Sequence, residues 1–434
     1  MKKTIGIFIL LVQILFVQNA GGEMNDFTLK NGIKVIFNKT SGVKVASVRV
    51  VTPVSAVCEN ENNSGISNLT ARLMVKATAN RSVETLAKDI DNIGADLYAD
   101  TDYDMSGFNM SFLSEYFDKA CEIFSDVVKN PLFDEKEVDF EKQNTIAALN
   151  SRKDSIGRTA SDNFIKAFYG NTSYSFPVAG SEKTVSALTS ENLKDRHKYS
   201  YNASNILISV AGNIEESVVK KSLEKYFGNI ESGKKLEKPV LSLDLKKPEE
   251  VKVSGKFNQA YIITGFPAPS LSGRDFVTLK VINALLGGRM TSVLFTELRE
   301  KLGLAYEVGA IYPSRIGESY FAVYIGLDKK NISLTLKRID EILKDFCSKE
   351  VDAQELKDTK TYIKGLYIMD RQTVGKQSYY YAWREIVGQG YKYDEKYLDD
   401  IDNVTAADIK AAANKIFGAK PLTLIIDPEA AKNK

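Results

Sequence analysis

Two stretches of the 434-residue chain, about 200 residues apart, end in the same way. The first is LTSENLKDRHKYSYNASNILISVAGNI, beginning at Leu188; the second is VTAADIKAAANKIFGAKPLTLIIDPE, beginning at Val404. Each has a Thr-initiated capping signal, an amphipathic helix, a short loop and a terminal apolar strand. A repeat of this length implies an ancient duplication, so the chain must fold as two similar lobes.

The rest of the pattern fits such a pair. FTLKNGIKVIF carries Asn31-Gly32 between alternating runs, a strong hairpin signal within a region, Phe27 to Val51, that reads as two strands around a turn. Helical periodicity follows at about 64–76, 83–93, 114–128 and 134–152, and ADLYADTDYDMSGFNMSFL alternates like a strand pair. The stretch 231–250, rich in Lys, Glu and Pro, lacks a sustained apolar face and reads as a linker. Beyond it, strand-like VKVSGKF and AYIITGF, helices at 274–286 and in SVLFTELREKL, and strand-like LAYEVGAIY and SYFAVYIGL start the pattern again. Hairpin signals without regular βαβ alternation predict an α+β fold, with two homologous lobes each built of an antiparallel sheet packed with helices. The expected division is a signal peptide at 1–22, lobes at 23–230 and 251–434, and the linker between them.

The N-terminus predicts export. Met1-Lys2-Lys3 precedes an apolar run, Ile5 to Val17, and small residues at Ala20-Gly21-Gly22. That is the layout of a cleaved signal peptide, and the run is short for a membrane span of about 20 residues. A bacterial periplasm, without stable membrane insertion, is the expected location. Balanced charge, 58 basic against 56 acidic residues, gives no field for a polyanion, so nucleic acid is excluded as an expected partner. Cys58, Cys121 and Cys347 form no CxxC pair; buried thiols are favoured, and any pairing stays open. The sole histidine, His197, falls on a charged helix tail and reads as a solvated residue. No GxSxG elbow, P-loop or dinucleotide fingerprint occurs.

Two segments carry a resemblance. One is SGISNLTARLMVKAT, Ser64 to Thr78; the other is GGRMTSVLFTELREKLGLAYEVGA, from Gly287. Together they resemble the pitrilysin/insulinase (M16) zinc peptidases, over nearly the whole chain after the signal. In that family the first helix carries HxxEH, two imidazoles four residues apart that hold one Zn²⁺ with a Glu between them to activate water. A third ligand, Glu, comes from a later helix and leaves one open coordination position. Here the corresponding positions are Asn68, Ala71 and Arg72, and the later Glu-Glu pair falls on Ala147 and Ala148. Asn is a feeble zinc ligand and Ala cannot act as a base. A guanidinium about 4 Å from a divalent cation costs on the order of 8 kcal/mol at an effective dielectric near 20.

The second segment keeps the family's other pattern through Gly287, Gly288, Ser292, Leu294, Phe295, Arg299, Glu300, Gly303, Leu304, Ala305 and Tyr306. Arg299 is expected to end a helix closed by Gly303, with Tyr306 starting the next strand. Both are donors suited to a peptide carbonyl whose oxygen gains charge. From local pattern alone, Arg299 pairing with Glu297 or Glu300 and Tyr306 packing in a core are the rival readings.

The resemblance implies a clam-shell chamber and a chain with no catalytic residue and no metal of its own. Its expected partner is an HxxEH-bearing subunit that holds the zinc, and its ligands are unfolded or extended peptides. Arg299 and Tyr306 would assist that partner. A stand-alone peptide-binding scaffold is the alternative.

Overall fold

The computed structural model describes residues 24–237 and 250–428. The predicted signal peptide and the 238–249 part of the predicted linker lie outside the described residues.

In chain order the first half runs β1 (Met24–Thr28), β2 (Lys34–Lys39), β3 (Val45–Thr52), α1 (Ile66–Met74), α2 (Val83–Asn92), β4 (Asp96–Thr101) and β5 (Ser106–Leu113). It continues through α3 (Phe117–Lys129), α4 (Glu135–Arg152), α5 (Ile156–Tyr169), α6 (Glu182–Ala187), α7 (Ser190–Ser200), β6 (Leu207–Gly212) and α8 (Glu216–Phe227). The second half runs β7 (Glu250–Ser254), β8 (Ala260–Ala268), α9 (Phe276–Leu286), a π-helix at Phe295–Lys301, β9 (Ala305–Ile311) and β10 (Ser319–Leu327). It ends with α10 (Ile332–Ser348), α11 (Ala353–Met369), α12 (Val374–Ile386), α13 (Tyr393–Asp402), α14 (Ala406–Phe417) and β11 (Leu422–Asp427).

The two sheets have the same wiring. The first is ordered β1-β2-β6-β3-β5-β4 and the second β7-β11-β8-β10-β9. Setting aside β1, each sheet begins with one parallel pair, β2 with β6 or β7 with β11, and every later pair is antiparallel. The expected antiparallel sheets are found, each with one parallel pair added. A strand returning from the far end of each half pairs beside the first one, and its direction depends on the whole path of the chain rather than on local pattern.

Local chemistry explains the ends of the elements. Gly32 adopts φ 91° in the β1–β2 turn, a left-handed conformation open to glycine, while the Asn31 amide donates to Phe227 O and Ile230 O. Phe27 to Val51 holds three strands, where alternation had predicted two. The repeated Thr signals form matching capping boxes. Thr189 accepts from Asn192 N and its own N–H donates to Asn192 Oδ1; Thr405 and Asp408 do the same. The near side of the predicted linker is tied down, since Glu231 O accepts from Ala203 N and Asn205 bridges Lys234 O and Leu236 N.

Each lobe has its own apolar core between sheet and helices. The halves are then joined by an exchange of helices. α5 of the first half lays Phe164 and Phe168 against Tyr261, Ile263, Tyr320 and Leu424 of the second sheet. α12 of the second half crosses the first sheet at β3 and β6. There Ser378 meets Ser47 (3.0 Å) and Gln377 accepts from Asn38 (3.1 Å). Tyr379 lies under Arg49, which is 1% exposed and bonded to Asp100 Oδ1 at 2.6 Å. One exchanged surface is aromatic; the other combines these polar pairs with an apolar cluster in which Ala382 joins Ile36, Val51 and Leu207. Tyr103 and Asp104, in the β4–β5 turn, add a clasp: Asp104 accepts from Tyr174 OH and Ile316 N, and Arg315 stacks over Tyr103.

Candidate functional site

α1 is entered through Gly65, whose φ of 94° and close approach to Ala179 O leave no room for a side chain. The buried carboxylate of Glu59 accepts from Gly65 N and Ser67 N, satisfying the open N–H groups of the first turn. Burial raises the Glu59 pKa against those hydrogen bonds. Leu69, Leu73 and Met74 anchor the helix in the core, and Ala71 is buried beside them. The position where the resembling peptidases carry their general base is therefore a methyl group in an apolar core.

Asn68 and Arg72 share one face of α1, four residues apart. Asn68 is half-buried and Arg72 is exposed. Arg72 Nε donates to Glu141 Oε1 at 2.5 Å, and Glu141, on α4, is 1% exposed. Lys76 Nζ lies 3.6 Å from the other oxygen, Glu141 Oε2. Ala148 shares the face of Glu141, seven residues on, whereas Ala147 points elsewhere; both alanines are exposed. The structure thus brings Asn68 and Arg72 together on α1 and sets α4 against them, but the donors a zinc ion needs are not there. An amide, a methyl group, a guanidinium and two alanines do not fit the metal. Among the described residues no group of three His, Cys, Asp or Glu side chains could hold one.

Glu141 was missed in the sequence. Its signal was weak: it occupies the buried stripe Val138–Glu141–Thr145 of α4, where an apolar residue is the default. His197 also needs correction. It is half-buried, donates from Nε2 to Val128 O (2.8 Å), stacks on Tyr201 and packs against Phe133. Burial lowers its pKa. The thiols of Cys58, Cys121 and Cys347 are unpaired, and burial raises each of their pKa values.

In the second half, Gly287 closes α9 where a Cβ would come within 2.2 Å of Ala310 N, so this glycine lets β9 lie against the end of α9. Leu294, Leu298 and Leu304 are buried and fix the π-helix between them. Gly303 (φ 60°) ends it, with Gly303 N donating to Arg299 O and Leu304 N to Leu298 O. The helix stop is as expected, though its winding is π rather than α. Arg299 is exposed and lies over the Phe295 ring at 4.9 Å. Neither rival reading holds: Glu297 pairs with Lys301 instead, Arg299 has no ion pair among the described residues, and Tyr306 is 58% exposed. Tyr306 falls at a register shift. Ala305 faces Leu327 and Glu307 faces Gly326, so Tyr306 is the extra residue of a β-bulge on the outer strand β9.

Comparison with known proteins gives the family. Residues 34–182 match the family model described as Insulinase (Peptidase family M16), and residues 187–363 match Peptidase M16 inactive domain. The chain belongs to the M16 peptidase family. An "uncharacterized zinc protease" of Rickettsia felis is 28% identical over 415 residues, spanning 94% of this chain and 98% of its own. Another of Bacillus subtilis is 26% identical over 407 residues, spanning 93% and 98%. The fold matches a peptidase M16 inactive domain from Pseudomonas fluorescens with TM-score 0.86 at 20% identity, covering 93% of this chain and 98% of that one. It also matches a Helicobacter pylori protease with TM-score 0.87 at 21% identity, covering 94% and 100%.

Proposed function

We propose that this protein is the non-catalytic, peptide-binding subunit of a heterodimeric zinc metallopeptidase, working after export to a bacterial periplasm. Its partner carries HxxEH and the zinc, and this chain supplies Arg299 and Tyr306 to the partner's reaction. The observation that carries the reading is the state of those two side chains. A guanidinium without an ion pair among the described residues and a phenol exposed at a bulge are groups left free for a ligand. Bulges and π-helical turns gather at functional sites, and one of each brackets this motif. β4 and β9 each end their sheet, which offers a backbone edge to an extended peptide.

A stand-alone peptide-binding scaffold needs neither donor. Co-expression with an HxxEH-bearing M16 subunit, followed by steady-state kinetics on a common peptide, separates the two. Removing a donor aimed at a developing oxyanion costs about 100- to 1,000-fold in turnover. Arg299→Ala and Tyr306→Phe are expected to slow the pair sharply while complex formation is kept. Wild-type turnover in both variants would leave the scaffold reading in the lead.

A further inference from the structure

The ion pair in place of the metal has an unused side. Arg72 is held through Nε alone, and its two terminal nitrogens have no partner among the described residues. The side chain is nevertheless 50% exposed, so these nitrogens face outward from a fixed base. Lys76, 37% exposed, leans on the same carboxylate from just beyond the end of α1. Two cations therefore share one buried anion. A compensating charge alone would need only one of them.

The floor beneath is also incompletely satisfied. Glu141 Oε2 and Thr145 Oγ1 are both buried without a hydrogen-bond partner, and they lie one turn apart on the same face of α4. The half-buried Asn68 amide, one turn before Arg72, makes no hydrogen bond among the described residues. The result is a small surface with a net positive charge, an amide at its edge, and a guanidinium whose position is set in advance.

We infer that Arg72 and Lys76, seated on Glu141, form a site for a carboxylate of an extended peptide, either its C-terminal carboxylate or an acidic side chain. A guanidinium fork donates two parallel hydrogen bonds to a carboxylate, and the buried Glu141 fixes its orientation before binding. The site rests on the peptide-binding reading above and assigns the degenerate motif a positive role. The position of a lost cationic metal keeps a cation, now for binding instead of hydrolysis.

The test uses the full chain and three labelled peptides of one neutral sequence, with binding read by fluorescence anisotropy at low salt. One peptide has a free C-terminal carboxylate, one is amidated, and one is amidated with a single internal Glu. At least one acidic form is expected to bind about tenfold more tightly than the neutral amide, and the stronger of the two identifies the source of the carboxylate. The advantage should shrink with added salt. It should vanish in Arg72→Gln, weaken in Lys76→Gln, and persist in Lys349→Gln, a surface change in the other half. Should Arg72→Gln fail to fold, Lys76→Gln carries the comparison. Equal binding of all three peptides, or an undiminished acid preference in both variants, overturns the site while leaving peptide binding intact. Binding of none of them overturns both readings.

Discussion

Arg72 Nε donates to Glu141 Oε1 at 2.5 Å, so the guanidinium at the second imidazole position of the zinc motif is bound to a carboxylate from the helix opposite. The replacement is matched on both sides. Glu141, buried at 1%, needs a cation, and the half-exposed Arg72 supplies one while keeping contact with water.

That pairing predicts an asymmetry. Arg72→Ala leaves Glu141 buried with only Lys76 nearby, and removing one partner of a buried polar pair costs more than removing both. The loss is expected to be about 2 kcal/mol in urea unfolding. Adding Glu141→Gln in the Arg72→Ala background should recover part of it. Equal and additive losses would show that the two side chains do not depend on each other.

His197 predicts a pH effect. Burial lowers its folded pKa below the ordinary 6.5, so the unfolded chain takes up the proton first as pH falls. The neutral ring therefore stabilises the fold above about pH 6.5, and that stability is lost as pH drops through this value toward the lower folded pKa. His197→Gln should flatten the difference in melting temperature between pH 7.5 and 5.5. An unchanged slope would mean that the ring titrates as it does in water.

Asp102 predicts the opposite sign. Burial, reinforced by the neighbouring Asp104 charge, raises its pKa to about 6. The folded state then binds the proton more readily, so the group contributes stability at low pH that is lost as pH rises through about 6. Asp102→Asn retains an oxygen for Asp104 N and Met105 N, and is expected to raise the melting temperature at pH 7.5 but not at pH 4. A lower melting temperature at both values would contradict this.

Gly287→Ala tests the support of the second-half motif. Its Cβ would meet Ala310 N and Gly309 C, backbone atoms that cannot swing aside. Overpacking of this kind costs about 1–3 kcal/mol. Because β9 carries Tyr306, turnover of the reconstituted pair should fall along with the melting temperature, unlike the effect expected of Tyr306→Phe.

Much of this was legible because the signals were local. The Asn31-Gly32 turn, the capping boxes at Thr189 and Thr405, and the ends of α1, α2 and α4 all fall within a residue or two of the pattern. Two of the elements that the pattern did not give are set by distant partners. α5 and α12 are held by the opposite lobe's sheet, and nothing within their own sequences names that sheet. The parallel pairs β2–β6 and β7–β11 depend on chain path. At the site, Asn68, Ala71 and Arg72 were placed by the family resemblance of their segment, but Glu141 lay outside it, and a glutamate in a helix is ordinarily a solvated residue. The bulge at Tyr306 is a matter of register between strands, which alternation within one strand does not reveal.

That this M16 chain carries no catalytic metal of its own is the expectation on which the rest depends. Its most direct test is equilibrium dialysis of the purified chain against zinc, with metal analysis and a broad peptide-library assay on the same sample. The expected result is no stoichiometric zinc and no chelator-sensitive cleavage. One tightly held zinc per chain, with cleavage that a chelator abolishes, would contradict it.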